Sequence, residues 1–399
     1  MMESIDRECK IIRSGVREVF TPNKPIDSVG LFCGRSSEVS RIVESVNTDG
    51  LHILLYGDRG VGKTSLARIT CEILTSSGVV ERCYIKRCDS SDTFRSIVMH
   101  LLDNVGIKCT IKESIGVSRA IGFNDCGFGQ HSTKEILNID NIDSPSWVAS
   151  KIEHIKGLFL IDEFDVLRDE EDKKKIAELI KQLSDANSNL TIFVVGISKT
   201  ARELIAGHPS VQRCVKEIQL KRMYDHELAA IIEKGEERLN ITFSREVKRH
   251  IVNISAGFPY FTHLLALKAA EEAIAIDKVT ISKDDFRRAV TRSVDDLEGS
   301  LRDKYKSAIN NNKKERSTSI LLAAALCGED IFRAQDLKLN YNTITNQNIS
   351  QQELNNFLTP NIISEGYTTI LQRVGKGLYR FNDPRMPSYI KLVNNYIEG

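Results

Sequence analysis

Gly57-Asp58-Arg59-Gly60-Val61-Gly62-Lys63-Thr64 stands between a short apolar run, Leu51 to Tyr56, and a segment with helical spacing through Leu66, Ala67, Ile69, Ile73 and Leu74. It satisfies GxxxxGK[ST] at every fixed position, and a strand before it with a helix after it is the setting that pattern requires. The glycines let main-chain N–H groups turn inward around phosphate oxygens, and the following helix presents its positive end. Lys63 adds a point charge for the β- and γ-phosphates, and Thr64 a hydroxyl for a magnesium ion. Gly57, Asp58, Arg59, Gly60, Val61, Gly62, Lys63, Thr64 and Ser65 are therefore the expected phosphate-binding set.

Leu158-Phe159-Leu160-Ile161-Asp162-Glu163 supplies a second half: an apolar strand that delivers carboxylates to a sheet edge. Asp162 is expected to hold the magnesium shell and Glu163 to polarise an attacking water, with Lys63 and Thr64 on the phosphate side. Asp165 extends the acidic cluster, although a solvated or helix-capping role suits it as well. Ser198, at the end of the apolar run Leu190 to Ile197, is placed either to touch a γ-phosphate or to cap a helix. Arg213 follows a Pro-containing loop and precedes Val215 to Leu220; it reads either as solvated or as reaching a neighbouring subunit's nucleotide.

Around these motifs, apolar runs at Leu51 to Tyr56, Val79 to Ile85, Gly157 to Ile161 and Leu190 to Ile197 alternate with helical patterns at Ser36 to Val46, Thr93 to Leu102 and about Asp172 to Leu183. Such alternation implies a mostly parallel sheet in an α/β domain. Gly106 to Ser144, with Gly116, Gly122, Gly127 and Gly129, breaks the rhythm and reads as an insertion. Beyond Met223 the pattern is helical: Glu227 to Leu239, Ser244 to Ile254, Phe258 to Ile276 and Ser282 to Val294. In the tail, Ser350-Gln351-Gln352-Glu353 has capping-box spacing, and Ile370 to Val374 and Leu378 to Phe381 flank a glycine turn. The expected division is an arm over 1–30, a nucleotide-binding α/β domain over 31–222, a helical lid over 223–298 and a winged helix over 299–399.

Composition narrows the classes. Fifty-five Lys and Arg against 54 Asp and Glu give a net charge of +1, so any pull toward nucleic acid must be local. From Leu301 onward, 13 Lys plus Arg oppose 9 Asp plus Glu, a surplus of 4. Nine cysteines without a CxxC pair read as reduced thiols of a cytoplasmic protein rather than a disulfide or zinc framework. Neither a secretory apolar run nor a span of roughly 20 apolar residues occurs, so no membrane partner is expected.

Together these pieces resemble the AAA+ P-loop ATPases, in the branch of origin-recognition and replication-initiator proteins. Phe32-Cys33-Gly34-Arg35 followed by Glu38 is similar to that branch's box near the adenine, which implies nucleotide contacts for Gly34 and Arg35. The resemblance puts Ser198 at the sensor-1 position and Arg213 at the arginine finger, acting across a homo-oligomer. It implies a P-loop parallel sheet with helices on both faces, then an all-helical lid and a winged helix. Where the branch carries a Gly-Asp-x-Arg turn, this chain has Gly257-Phe258-Pro259-Tyr260. That turn resembles the GxP of STAND signalling ATPases, whose proline packs on the adenine, and so Pro259 joins the set.

The resemblance implies ATP and Mg2+ as cofactors and hydrolysis of ATP to ADP and phosphate. Two uses of that reaction are compatible with the sequence. In one, subunits assemble on ATP and the tail grips duplex DNA through Arg373, Lys376 and Arg380; the helix expected from Gln351 to Ile363 carries no Lys or Arg, which weakens it. In the other, a STAND-like switch, for example in phage defence, engages an effector protein without DNA. A DEAD-type helicase would need a second alternating sheet, which the helical segment after Met223 replaces.

Overall fold

The computed structural model describes residues 2–110, 136–138, 141–198, 200–204, 209–295, 297, 299–309, 314–363 and 369–394. The chain divides into two compact units. One comprises Met1–Arg35, Arg59–Gly62 and Lys221–Gly399, and the other Ser36–Asp58 and Lys63–Leu220. The phosphate loop is thus shared along the chain, its middle four residues grouping with one unit and its flanks with the other.

Helices α1 (Met2–Ser14) and α2 (Val16–Val19) open the chain. The α/β unit follows with α3 (Ser36–Val46), β1 (His52–Gly57), α4 (Lys63–Ser76), β2 (Cys83–Arg87), α5 (Phe94–Asn104), β3 (Lys108–Thr110) and β4 (Ile136–Asn138). It closes with α6 (Pro145–Ile152), β5 (Gly157–Asp162), α7 (Glu170–Asp185), β6 (Leu190–Ile197), α8 (Ala201–Leu204) and β7 (Val215–Gln219). Five of these strands form one parallel sheet in the order β2-β5-β6-β1-β7. Every residue of β5 is buried, as suits a strand covered on both faces. Its neighbours Phe94, Ile97 and Leu101 of α5 and Ile176, Ile180 and Leu183 of α7 complete the core, each fully buried side chain contributing about 1.5–3 kcal/mol.

Caps set where the helices start. Thr93 and Ser96 form a reciprocal capping box for α5, and Ser144 caps α6 with Pro145 in the first turn. The expected strand at Val79 to Ile85 is displaced to Cys83–Arg87, because residues 79 and 80 bond back to the Leu74 carbonyl and close the end of α4. Most of the glycine-bearing stretch expected as an insertion lies outside the described residues; its flanks β3 and β4 pair in parallel, apart from the main sheet.

The other unit contains α9 (Asp225–Leu239), β8 (Thr242–Phe243), α10 (Arg245–Ser255), α11 (Pro259–Ile274), β9 (Thr280–Ile281) and α12 (Lys283–Asp295), within two residues of the expected helices at each end. It continues with α13 (Gly299–Ile309), α14 (Lys314–Ala325), β10 (Phe332–Arg333), α15 (Ala334–Thr345), α16 (Gln351–Ile363), β11 (Leu371–Gly375), β12 (Leu378–Phe381) and α17 (Met386–Val393). Strands β10, β12 and β11 form an antiparallel sheet, and the Ser350/Glu353 capping box starts α16 as its spacing predicts.

The polar opening of the chain belongs to this unit and is helical through most of its first twenty residues. Glu272 of α11, 5% exposed, meets Arg7 at 2.8 Å, Arg292 at 2.5 Å and Arg288 at 3.6 Å, while Glu271 takes Arg17 at 2.7 Å. Phe20 is buried against Phe243 and His263, and a Cβ at Gly235 would lie 2.1 Å from its ring. Only glycine leaves room for that ring.

Candidate functional site

Parallel register brings the chemical residues of the α/β unit to one sheet edge. Gly57 ends β1 opposite Ile197 of β6, and Asp162 ends β5 opposite Arg87 of β2. Gly57 has φ 153°, and a Cβ there would meet the Leu220 carbonyl oxygen at 2.4 Å, so the loop can leave the sheet here only through glycine. Lys63, 8% exposed, folds its Nζ back to donate to the carbonyls of Gly57 at 3.0 Å and Asp58 at 2.8 Å.

One oxygen of Asp162 joins the phosphate loop to its own strand end: Thr64 Oγ1 donates to Oδ1 at 3.2 Å and the Glu163 N–H to the same atom at 3.0 Å. Burial pushes the Asp162 carboxyl above its ordinary value, a rise opposed by the Thr64 and Glu163 hydrogen bonds. A buried carboxylate and a hydroxyl, both hard oxygen donors, form a set that fits magnesium. Glu163 sits in the left-handed region at φ 57°, a bend that aims its side chain away from the strand. Its Oε1 accepts from Arg87 at 2.7 Å, an exposed pair.

Ser198 and Arg213 belong to the same unit. The Ser198 hydroxyl accepts from the Thr200 N–H at 3.2 Å and lies 2.9 Å from Glu203, while exposed Arg213 pairs with Asp185 at 2.9 Å. Asp165 ties the end of β6, accepting the Ile197 N–H at 2.7 Å.

The remaining predicted residues gather in the helical unit. Gly34 and Arg35 both have positive φ, 69° and 62°, and the turn they make is held by Glu227. One Glu227 oxygen accepts the Arg35 N–H at 2.8 Å and the other the Tyr224 N–H at 2.9 Å. The buried Arg35 guanidinium donates to the carbonyls of Lys221 at 2.7 Å and Val61 at 3.2 Å, thereby fastening the turn to the phosphate loop. Pro259 occupies the first turn of α11, with its Cγ 3.7 Å from where a Gly62 Cβ would stand. Gly60 is walled by Phe258 and by Arg385, whose Cδ would lie 3.1 Å from an added Cβ.

Four participants carried no recognised signal in the sequence: Arg87, Arg222, Glu227 and Arg385. Glu227 accepts the Tyr224 N–H three residues before it, but a tyrosine at the cap position leaves no capping-box signature in the sequence. Arg87 ends the strand beside β5, a pairing that only the topology reveals. Arg222 lies over the Phe258 ring, 4.7 Å from its centroid, and pairs with Asp330. Arg385, buried, forks onto Asp383, Nε to Oδ1 at 3.1 Å and Nη2 to Oδ2 at 2.9 Å. Burial acts to raise the Asp383 carboxyl, but the Arg385 contacts outweigh it and hold it below the ordinary value.

Among the described residues, no helix is long and apolar enough to cross a membrane. A family model described as Novel STAND NTPase 1 matches residues 25–267. The solved Walker-type ATPase paby2304 of Pyrococcus abyssi aligns with a TM-score of 0.54 at 16% identity, over 94% of this chain and 99% of that one, and shares the fold. Cdc6p from Pyrobaculum aerophilum aligns at 0.46 and 13% identity, over 96% of this chain and 99% of its own. The Aeropyrum pernix ORC1 protein, solved in complex with DNA, aligns at 0.47 and 15%, over 96% and 97%. A search of curated proteins returns no match.

Proposed function

Because the chain belongs to the Novel STAND NTPase 1 family, a group of P-loop nucleotide-binding proteins, we propose that it is an ATP-hydrolysing switch whose C-terminal segment responds to the state of the phosphate loop. Loop amides and Lys63 hold the phosphates, and Thr64 and Asp162 would hold magnesium, which when bound neutralises phosphate charge. Glu163 accepts the proton of the attacking water as its oxygen bonds the γ-phosphorus and the bond to the β-phosphate oxygen breaks. Within this reading 31–222 is the nucleotide-binding domain, 223–298 the lid and 299–399 a winged helix.

The observation that carries the switch is the packing of Gly60 against Phe258 and Arg385 and of Gly62 against Pro259. A loop that moves when phosphates enter must displace or reseat groups from both the lid and the tail. The test is the release of a fluorescent ADP analogue from the full chain. Lys63→Ala should weaken binding by tenfold or more, on the order of 1.4 kcal/mol. Arg385→Ala should leave ADP bound but change its release rate severalfold. Unchanged release in Arg385→Ala would dismiss the tail as a reader of the loop while leaving the Lys63 result intact.

A DNA-gripping tail is the second reading. It rests on exposed Arg373 and half-buried Arg380 on the paired strands β11 and β12, with exposed Lys376 in the turn between them. Self-assembly through Arg213 and capture of an effector protein complete the proposed partners. Duplex binding that falls steeply with salt would support the DNA reading; no binding at low salt leaves the protein-partner switch.

A further inference from the structure

Helix α1 (Met2–Ser14) packs by its charged face and shows its apolar one. Arg7, Lys10 and Ile11 lie on the inward side: Arg7 meets Glu272 at 2.8 Å, Lys10 meets Asp277 at 2.6 Å, and Ile11 is buried. Ile5, Cys9 and Ile12, spaced i, i+4 and i+7, share the opposite side of the helix. Ile5 is 57% exposed and Ile12 62%, with Cys9 half-buried between them. An amphipathic helix ordinarily lays such a stripe on its own core, so a stripe left outward on an anchored helix is available to another body.

The charges beside the stripe select what covers it. With Ile5 and Ile12 at d positions of a heptad and Cys9 at a, Glu8 falls at g and Arg13 at e. In a parallel pair of identical helices a g side chain faces the e side chain five residues further along its partner. Glu8 therefore faces Arg13 of a second copy, and two-fold symmetry repeats the pairing on the other flank. An antiparallel pair would instead set g against g, Glu8 against Glu8. Among the described residues no ion pair engages exposed Arg13, and Glu8 meets Arg17 at 2.5 Å in a half-exposed pair that costs little to exchange. A free helix of 13 residues would be marginal in water, but α1 is already ordered by its anchors to Glu272 and Asp277.

We propose that two copies of the chain associate through this face, α1 against α1 in parallel about a two-fold axis. Ile5, Cys9 and Ile12 form the seam, and Glu8 and Arg13 bridge across both flanks. So short a seam buries too little for a permanent dimer, and the association is weak, reversible and governed by protein concentration. It uses no residue of the nucleotide site and stands independently of the ATPase reading.

Sedimentation velocity of the reduced full-length chain should show monomer at about 1 µM and a growing dimer fraction toward about 100 µM. Ile5→Asp/Ile12→Asp, at exposed positions, should weaken association about tenfold or more while the melting temperature holds. Glu8→Arg and Arg13→Glu should each self-associate less than the parent chain, yet dimerise with one another when mixed, since the mixture restores both bridges. Mild oxidation of the concentrated protein should give a Cys9–Cys9 link in a non-reducing peptide map, because an a position of a parallel pair faces its own counterpart. Monomer over the whole concentration range, a dimer indifferent to Ile5→Asp/Ile12→Asp, or single charge variants that fail to pair when mixed overturns the proposal.

Discussion

The α/β unit and the helical unit hold their chemical residues in different ways. In the first, Gly57, Arg87, Asp162 and Ser198 stand at or just beyond strand ends, and the register of a buried parallel sheet fixes where they sit. In the second, Arg35 is held by Glu227 from 192 residues away, and α11, which begins at Pro259, carries Glu272, bound to Arg7 from 265 residues away. A sheet edge positions side chains through main-chain pairing and tolerates side-chain substitution. A framework of charged contacts positions them through the side chains themselves, so the same kind of substitution should reach the fold.

The sharpest test of this contrast is Glu163→Gln. With the strand end unchanged, turnover should fall by about a hundredfold or more while nucleotide affinity and the melting temperature hold. A large drop in melting temperature would mean that the edge leans on its side chains after all. Next comes acid. His52 in β1 and His263 in α11 are both buried, both accept a main-chain N–H at Nδ1, from Ile192 at 2.9 Å and Thr21 at 3.2 Å, and both are lowered by burial to about 4. Their unfolded forms take a proton below about 6.5, so stability is full above that pH and falls as pH drops toward 4. At pH 5 the loss should be about 2 kcal/mol per imidazole. Hydrogen exchange should see it in both units; loss confined to one would separate them. Smallest, Glu272→Ala should cost about 2 kcal/mol in thermal unfolding, below the figure for a fully buried pair because its three arginines are partly solvated. Turnover at saturating ATP should stay near wild type.

The same contrast explains what could be read in advance. Gly57 to Thr64 and Leu158 to Glu163 are contiguous, so spacing alone displays them, and the helices after Met223 keep their period over whole turns. Cys83–Arg87 is an edge strand with half-exposed residues, and without a clean alternation its start was read too early. The opening segment was read as an arm because it is polar and ends in Thr21-Pro22-Asn23-Lys24-Pro25; its first residues form α1, whose anchors to α11 are arginines that carry no apolar pattern. Arg385 shows no pattern at all: its place beside Gly60 depends on the whole tail returning to the loop.

The Phe20 ring over Gly235 ties the start of the chain to α9. A protease cut, or an alternative start codon, that removes the first two dozen residues would leave a ring-sized hollow beside His263 and take Arg7 from Glu272 and Arg17 from Glu271, leaving those carboxylates to Arg288, Arg292 and Lys268. The shortened product would be expected to aggregate or to lose the rigid packing of α9 and α11. An affinity tag is therefore better placed at the other end.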